Sequence, residues 1–252
     1  MILVDRRRLP LLGWFLLVSL IGAHAVRGQS SCPCDVNGDG QVTVNELIEG
    51  VNASLYGCPP PGPTPSTLVQ TGQTQCDQGS GTLGECPGSP PGQDGEVAAG
   101  HPLAYTDNGD GTVTDNITKL MWEKLSDDGS VHDRDNAYTW QDAFDVKIAA
   151  LNTEPCFAGQ CDWRLPNRRE LESIMDAGQA APAVDAAFNT DCKPQCTITT
   201  CSCTQLDFYW TSTTYQSLPT FAWAVDCNTG IVNAFEKIPA IKYPVRAVRG
   251  GL

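Results

Sequence analysis

Histidine is scarce in this 252-residue chain, basic residues are outnumbered, and no long apolar run follows the first 25 positions. Each scarcity excludes something. The three histidines are His24, His101 and His132. No His-Glu-x-x-His pair, Gly-x-Ser-x-Gly elbow or Gly-rich phosphate loop occurs, so the ordinary metalloprotease, serine-hydrolase and kinase mechanisms lack their parts. Sixteen Lys and Arg stand against 29 Asp and Glu, a formal net charge of −13. Binding a polyanion takes a basic face that displaces counterions from phosphates, and no basic run exists beyond Arg6, Arg7 and Arg8. Nucleic acid is therefore not expected as a ligand; solubility and cation binding fit better. The length leaves room for one or two domains with a core of useful size.

What is present begins with an export pattern. Arg6 to Arg8 form a basic start, Leu11 to Ala23 is apolar apart from Ser19, and Ala23-His24-Ala25 has the small-x-small form of a signal peptidase site. Residues 1–25 are read as a signal peptide; the alternative, a membrane anchor, needs a longer apolar run. Removing Asp5 and the three arginines leaves the mature chain at about −15. No membrane span is expected after removal. The reading places the protein outside the cytoplasm: secreted, extracellular, periplasmic or at the cell surface.

Twelve cysteines in an exported chain point to disulfides. Spacing allows Cys34 with Cys58, Cys76 with Cys86 and Cys156 with Cys161. Cys192, Cys196, Cys201 and Cys203 crowd one loop, with Cys227 further on, and their connectivity stays open. A zinc or iron–sulfur site in that cluster is the sharper alternative, against which the Cys-x3-Cys-x4-Cys-x-Cys spacing argues.

The heptads NGDGQVT (37–43) and NGDGTVT (108–114) differ at one residue. Around the first, DVNGDGQVTVNEL places Asp35 at position 1 of a calcium loop, Asn37 at 3, Asp39 at 5, Gly40 at 6, Gln41 at 7 and Glu46 at 12. Oxygens at 1, 3 and 5 wrap a hard cation, Gly40 permits the sharp turn, the Gln41 carbonyl adds one ligand and Glu46 closes the shell with two. Ca2+ is the expected cofactor, held by Asp35, Asn37, Asp39, Gln41 and Glu46. An exiting helix follows in VNELIEGVNASLYG, but too few residues precede Asp35 for an entering one. Residues 32–58 thus form an EF-hand loop-helix unit, similar to one repeat of a bacterial dockerin, which normally carries two. The Pro-rich stretch 59–67 is a stiff spacer.

In the second heptad the same frame puts Thr106 at position 1 and Ile117 at 12, so both ends of the cage are missing. This copy reads as the turn of a β-hairpin within 103–124, since Asn-Gly and Asp-Gly tolerate positive φ. A loosely hydrated cation on Asp107, Asp110 and Asp115 is the alternative. Downstream, Thr139 with Asp142 and Asn167 with Glu170 have the form of capping boxes opening amphipathic helices. Strands are expected at 206–213, 221–226, 230–235 and 243–249. The fold class is α+β.

Read in order, YTDNGDGTVTDNITKLMWEK (105–124), TWQDA (139–143), DWRLPNRRELESIMD (162–176), YWTSTT (209–214), AWAV (222–225) and VRAVRGG (245–251) resemble the Lcl C-terminal domain family. The family is named for the C-terminal domain of a collagen-like adhesin. The resemblance covers residues 68–252 as a domain. It departs at Lys119, where the family has Gly in a T-G-L-M-W run, and in the cysteine-rich insert 191–204. It implies a C-type-lectin-like mixed fold, related also to formylglycine-generating enzymes, in which an Arg-Leu-Pro stretch precedes a helix and a Val-Arg strand closes the sheet. Trp163 and Trp210 are expected in the core, and Arg164 or Arg246 is expected to pair with carboxylates.

Three functions follow from these residues and this resemblance. The first is a secreted or surface-attached calcium-binding protein whose lectin-like adhesion domain takes an extracellular glycan or protein of the matrix. The Glu-Pro-Asn, Gln-Pro-Asp and Trp-Asn-Asp segments of calcium-dependent sugar sites are missing. The second is an assembly module docking a partner through the loop-helix unit. The third is a cysteine-dependent enzyme, with its site at 192–203 or Cys227; no catalytic residue is assigned, and a non-enzyme is expected. Oligomeric state is not legible.

Overall fold

The structure, a computed structural model, describes residues 68–79 and 81–251. The chain divides between Gly62 and Pro63. The signal, the calcium loop with Asp35, Asn37, Asp39, Gln41 and Glu46, the Cys34–Cys58 pair and the linker lie outside the described residues.

The described domain mixes short helices with three antiparallel sheets. The first pairs β1 (Cys76–Asp77) with β2 (Leu83–Gly84). The second has the order β3 (Tyr105–Asp107), β4 (Thr112–Asp115), β5 (Met121–Glu123), β9 (Val248–Arg249). The third runs β6 (Phe208–Thr214), β7 (Phe221–Asp226), β8 (Val232–Glu236).

Apolar residues from both larger sheets meet in one cluster: Val113, Trp122 and Val248 from one, Tyr209 and Val225 from the other, with Phe188 and Ile174. A second cluster holds Trp163, Leu165, Trp210, Ala222, Ala224 and Val245. Tyr209 and Trp210 therefore face opposite cores, so β6 is buried on both faces at its centre. In the second cluster both indole N–H groups donate to carbonyls, Trp163 to Phe157 and Trp210 to Tyr138, whereas the buried Trp122 N–H of the first has no partner.

Both caps form. Asn167 accepts from the Glu170 amide at 3.0 Å and Glu170 reaches back to the Asn167 amide at 2.8 Å, a closed capping box on the Arg168–Glu172 helix. Thr139 accepts from the Asp142 amide, but the Asp142 carboxylate returns to the Thr139 hydroxyl instead of its backbone. The helix beyond departs from the expected regular form: Trp140–Asp142 and Ala149–Leu151 are α-helical, while Ala143–Ile148 is a π-turn. The wide turn buries Lys147 completely, where its ammonium meets Glu123.

The last strand is shorter than the 243–249 pattern predicts. Only Val248–Arg249 joins a ladder, pairing with β5. The reason is a side chain: the Glu123 amide donates to the Ala247 carbonyl, but the Ala247 amide donates to the Glu123 carboxylate at 3.0 Å and not to its backbone.

Among the described residues four disulfides close the loops: Cys76–Cys86, Cys156–Cys161, Cys192–Cys203 and, nested within the last, Cys196–Cys201. The crowded cluster is thus paired sulfur, and the zinc or iron–sulfur alternative there is withdrawn, because no thiolate remains to ligate a metal.

Candidate binding groove

Two adjoining hollows flank the Arg168–Glu172 helix. The larger, about 990 Å³, is lined by Leu120, Arg168, Arg169, Glu172, Thr213 and Trp223 among others. The smaller, about 470 Å³, is lined by Phe144, Ile148, Arg164, Leu165 and Ser212. Asn167, Glu170 and Gly251 belong to both, so the two read as one groove across the start of the helix.

The capping box sets this geometry. Glu170, fixed by the cap, also takes the Arg164 guanidinium through two bonds of 2.7 Å, and Arg164 donates on to the Gly250 carbonyl at 2.9 Å. The Glu170 bonds hold the Arg164 guanidinium more basic than usual, against its partial burial. One turn on, Arg168 bonds Glu172 at 3.1 Å and lies 4.7 Å over the Trp223 ring. Trp223 meets Tyr215 edge to face at 5.1 Å. Arg168 and Arg164 are thus spent on structure. Among the described residues the Arg169 guanidinium and the Asn167 amide NH2 keep no side-chain or backbone partner, and both front the groove. A second cation–aromatic contact lies near its far end, Lys237 at 3.8 Å over Trp140, which in turn meets Phe144 at 4.8 Å. Desolvation there pulls the Lys237 ammonium below its ordinary range.

The residues singled out from the sequence fall elsewhere. Trp163 and Trp210 fill the core as expected. Arg164 finds its carboxylate; Arg246 does not. Fully buried, Arg246 donates to the carbonyls of Glu123 and Cys203 and to the Thr204 hydroxyl, with the Phe188 ring 5.2 Å away. Asp107, Asp110 and Asp115 are not brought together as a cation site. Asp107 binds Lys124 at 2.6 Å, Asp110 caps Thr112, and Asp115 is taken by the Ile117 and Thr118 amides. Cys227 is a free thiol sealed in the core, and burial pushes it up to about 12.

Sequence reasoning missed Trp223 as a lining residue, although AWAV was one of the family segments. It also missed the buried pair Glu123 and Lys147. The signal for the pair was available: Lys147 falls four residues after Ala143 and four before Leu151, on the apolar face of its helix.

Residues 111–249 match the model of the Lcl C-terminal domain, more than half of the chain, and the chain belongs to that family. Membership makes the domain adhesin-like and compatible with an extracellular ligand. No curated protein matches the chain. Among the described residues no helix is long and apolar enough to cross a membrane.

Proposed function

We propose that this protein is an exported, calcium-binding adhesion protein whose C-type-lectin-like domain takes an extracellular glycan in the groove beside the Arg168–Glu172 helix. The observation that carries the reading is the pairing of an aromatic platform with unspent donors. Trp223, with Arg168 over its ring, lines the larger hollow as an aromatic wall against which a sugar can pack, and the Asn167 amide and Arg169 guanidinium offer donors to ring hydroxyls. The net charge of −13 disfavours a densely sulfated polymer as the ligand.

Calcium belongs to Asp35, Asn37, Asp39, Gln41 and Glu46, where the ligand spacing supports it. Titration of calcium into the wild type and a Glu46→Gln variant tests this: weaker binding by the variant is expected, and equal affinity would mean the site is elsewhere. Binding rather than catalysis is further supported by the state of the cysteines. Among the described residues eight are paired, and the Cys227 thiol is buried with its proton held tightly, the reverse of an activated nucleophile. A second reading, docking through the loop-helix unit, rests on the single dockerin-like repeat. A glycan array run with and without calcium separates the two. Silence across neutral, acidic and sulfated glycans would favour docking.

A further inference from the structure

The core holds a cluster that binding does not use. Glu123 on β5 and Lys147 in the π-turn are both sealed, with side chains 0% and 1% exposed, and their Oε1 and Nζ atoms are in hydrogen-bond contact. His132 Nδ1 lies 2.7 Å from the same Oε1. The other oxygen, Oε2, accepts the Ala247 amide at 3.0 Å, and Lys147 Nζ also donates to the Val131 carbonyl at 2.7 Å. The Phe157 ring stands 4.5 Å from His132 and 4.9 Å from Trp163, walling the cluster with aromatics.

Each contact has a counterpart in amide formation. A backbone N–H on Oε2 is placed where an oxyanion donor stabilises a tetrahedral intermediate. An imidazole on Oε1 is placed to carry a proton to the leaving oxygen. The nucleophile and the carbonyl carbon are held together by the fold, which replaces a bimolecular encounter with an intramolecular one. The geometry points to an intramolecular isopeptide bond between Lys147 Nζ and Glu123 Cδ, closed by loss of water with His132 as the proton carrier.

The step balances without an oxidant or a cofactor. A proton passes from the Lys147 ammonium to Glu123 Oε1, leaving a neutral amine beside a carboxylic acid. The Nζ lone pair attacks Cδ, and charge gathers on Oε2 against the Ala247 amide. The second proton on the adduct nitrogen passes to Oε1, against which His132 Nδ1 lies at 2.7 Å as the proton carrier. The Cδ–Oε1 bond breaks, one water leaves, and Cδ–Oε2 regains its double bond. The resulting amide keeps one N–H, already facing the Val131 carbonyl, and one oxygen, already facing the Ala247 amide. Two buried charges disappear, and with them a desolvation cost that the ion pair must otherwise offset. Lys147 is pulled toward neutrality by burial, while Glu123 is held low by Lys147 and His132 against its own burial, so the neutral pair is the minor state. A bond that closes once in the lifetime of the molecule needs only that minor state.

The test is the intact mass of the full exported chain after reduction and denaturation, followed by peptide mapping. A mass one water below that of the sequence, mapped to a branched peptide joining Lys147 to Glu123, is the expected result. A Lys147→Met variant regains the missing water. Should that variant not fold, His132→Gln keeps both reacting groups and is expected to accumulate unlinked chain. Wild type at full mass overturns the proposal, as does a water loss mapped instead to an Asp-Gly step such as Asp110-Gly111. Complete linkage in His132→Gln overturns the part assigned to His132.

Discussion

Lys119 shows how much a single backbone angle can explain. Its φ is +63°, in the left-handed region that costs most side chains energy, and the family carries Gly there. Lys119 tethers the turn by donating to the Asn116 carbonyl at 2.7 Å, an exposed bond that offsets little of the strain. Lys119→Gly is therefore expected to raise stability by roughly 1 kcal/mol, read as a higher denaturant midpoint with unchanged m. Gly111 is the converse case. Its φ is +94°, and a Cβ built on it would lie 2.5 Å from Ile198 Cδ1, so the cysteine-rich insert packs directly on the NGDGTVT turn. Gly111→Ala should destabilise the domain by about 1–3 kcal/mol in the same measurement. The departure at Lys119 was visible in the sequence; its left-handed angle was not, because φ is set by the closing ladder of β4 and β5.

At the scale of elements, local signals translated well wherever the chain answers to its own neighbours. Asn167 with Glu170 closes a capping box as its spacing predicts, and the 221–226 strand has the bounds read from its pattern. Asn167→Ala removes the cap and loosens Glu170, which also holds Arg164. A loss of about 1 kcal/mol or more in thermal or chemical unfolding is expected. Where distant groups intervene, periodicity misled. The π-turn at Ala143–Ile148 accommodates Lys147 against Glu123, a partner 24 residues away. The 243–249 run reads as a strand by composition, yet the Glu123 carboxylate and the buried Arg246 replace its ladder at 246–247, and Tyr243 forms an isolated bridge with Tyr138. The second heptad, by contrast, answers to its own neighbours. Seven nearly shared letters form a hairpin turn at 108–111, where Asp107 and Asp110 serve the turn itself. The first copy has Asp35 and Glu46 at positions 1 and 12 of the calcium-loop spacing, outside the described residues.

For the whole molecule, order and spacing of six short segments carried the family, and the match over residues 111–249 agrees with them. Connectivity of the cysteines in the insert was not legible, since four neighbouring sulfurs pair according to three-dimensional approach and not spacing. The groove was equally hidden: Trp223, Arg168 and Asn167 lie on two elements more than 50 residues apart and become neighbours only when the Arg168–Glu172 helix lies on β7. This groove is expected to bind a glycan through Trp223. That binding is tested most directly by titrating the strongest glycan from the array into the wild-type chain and into Trp223→Ala, after confirming that both are folded. Loss of the ring should cost about 1.4 kcal/mol, roughly a tenfold weaker Kd, with calcium affinity unchanged. Equal affinity in the two proteins would contradict the account and move the binding surface away from the groove.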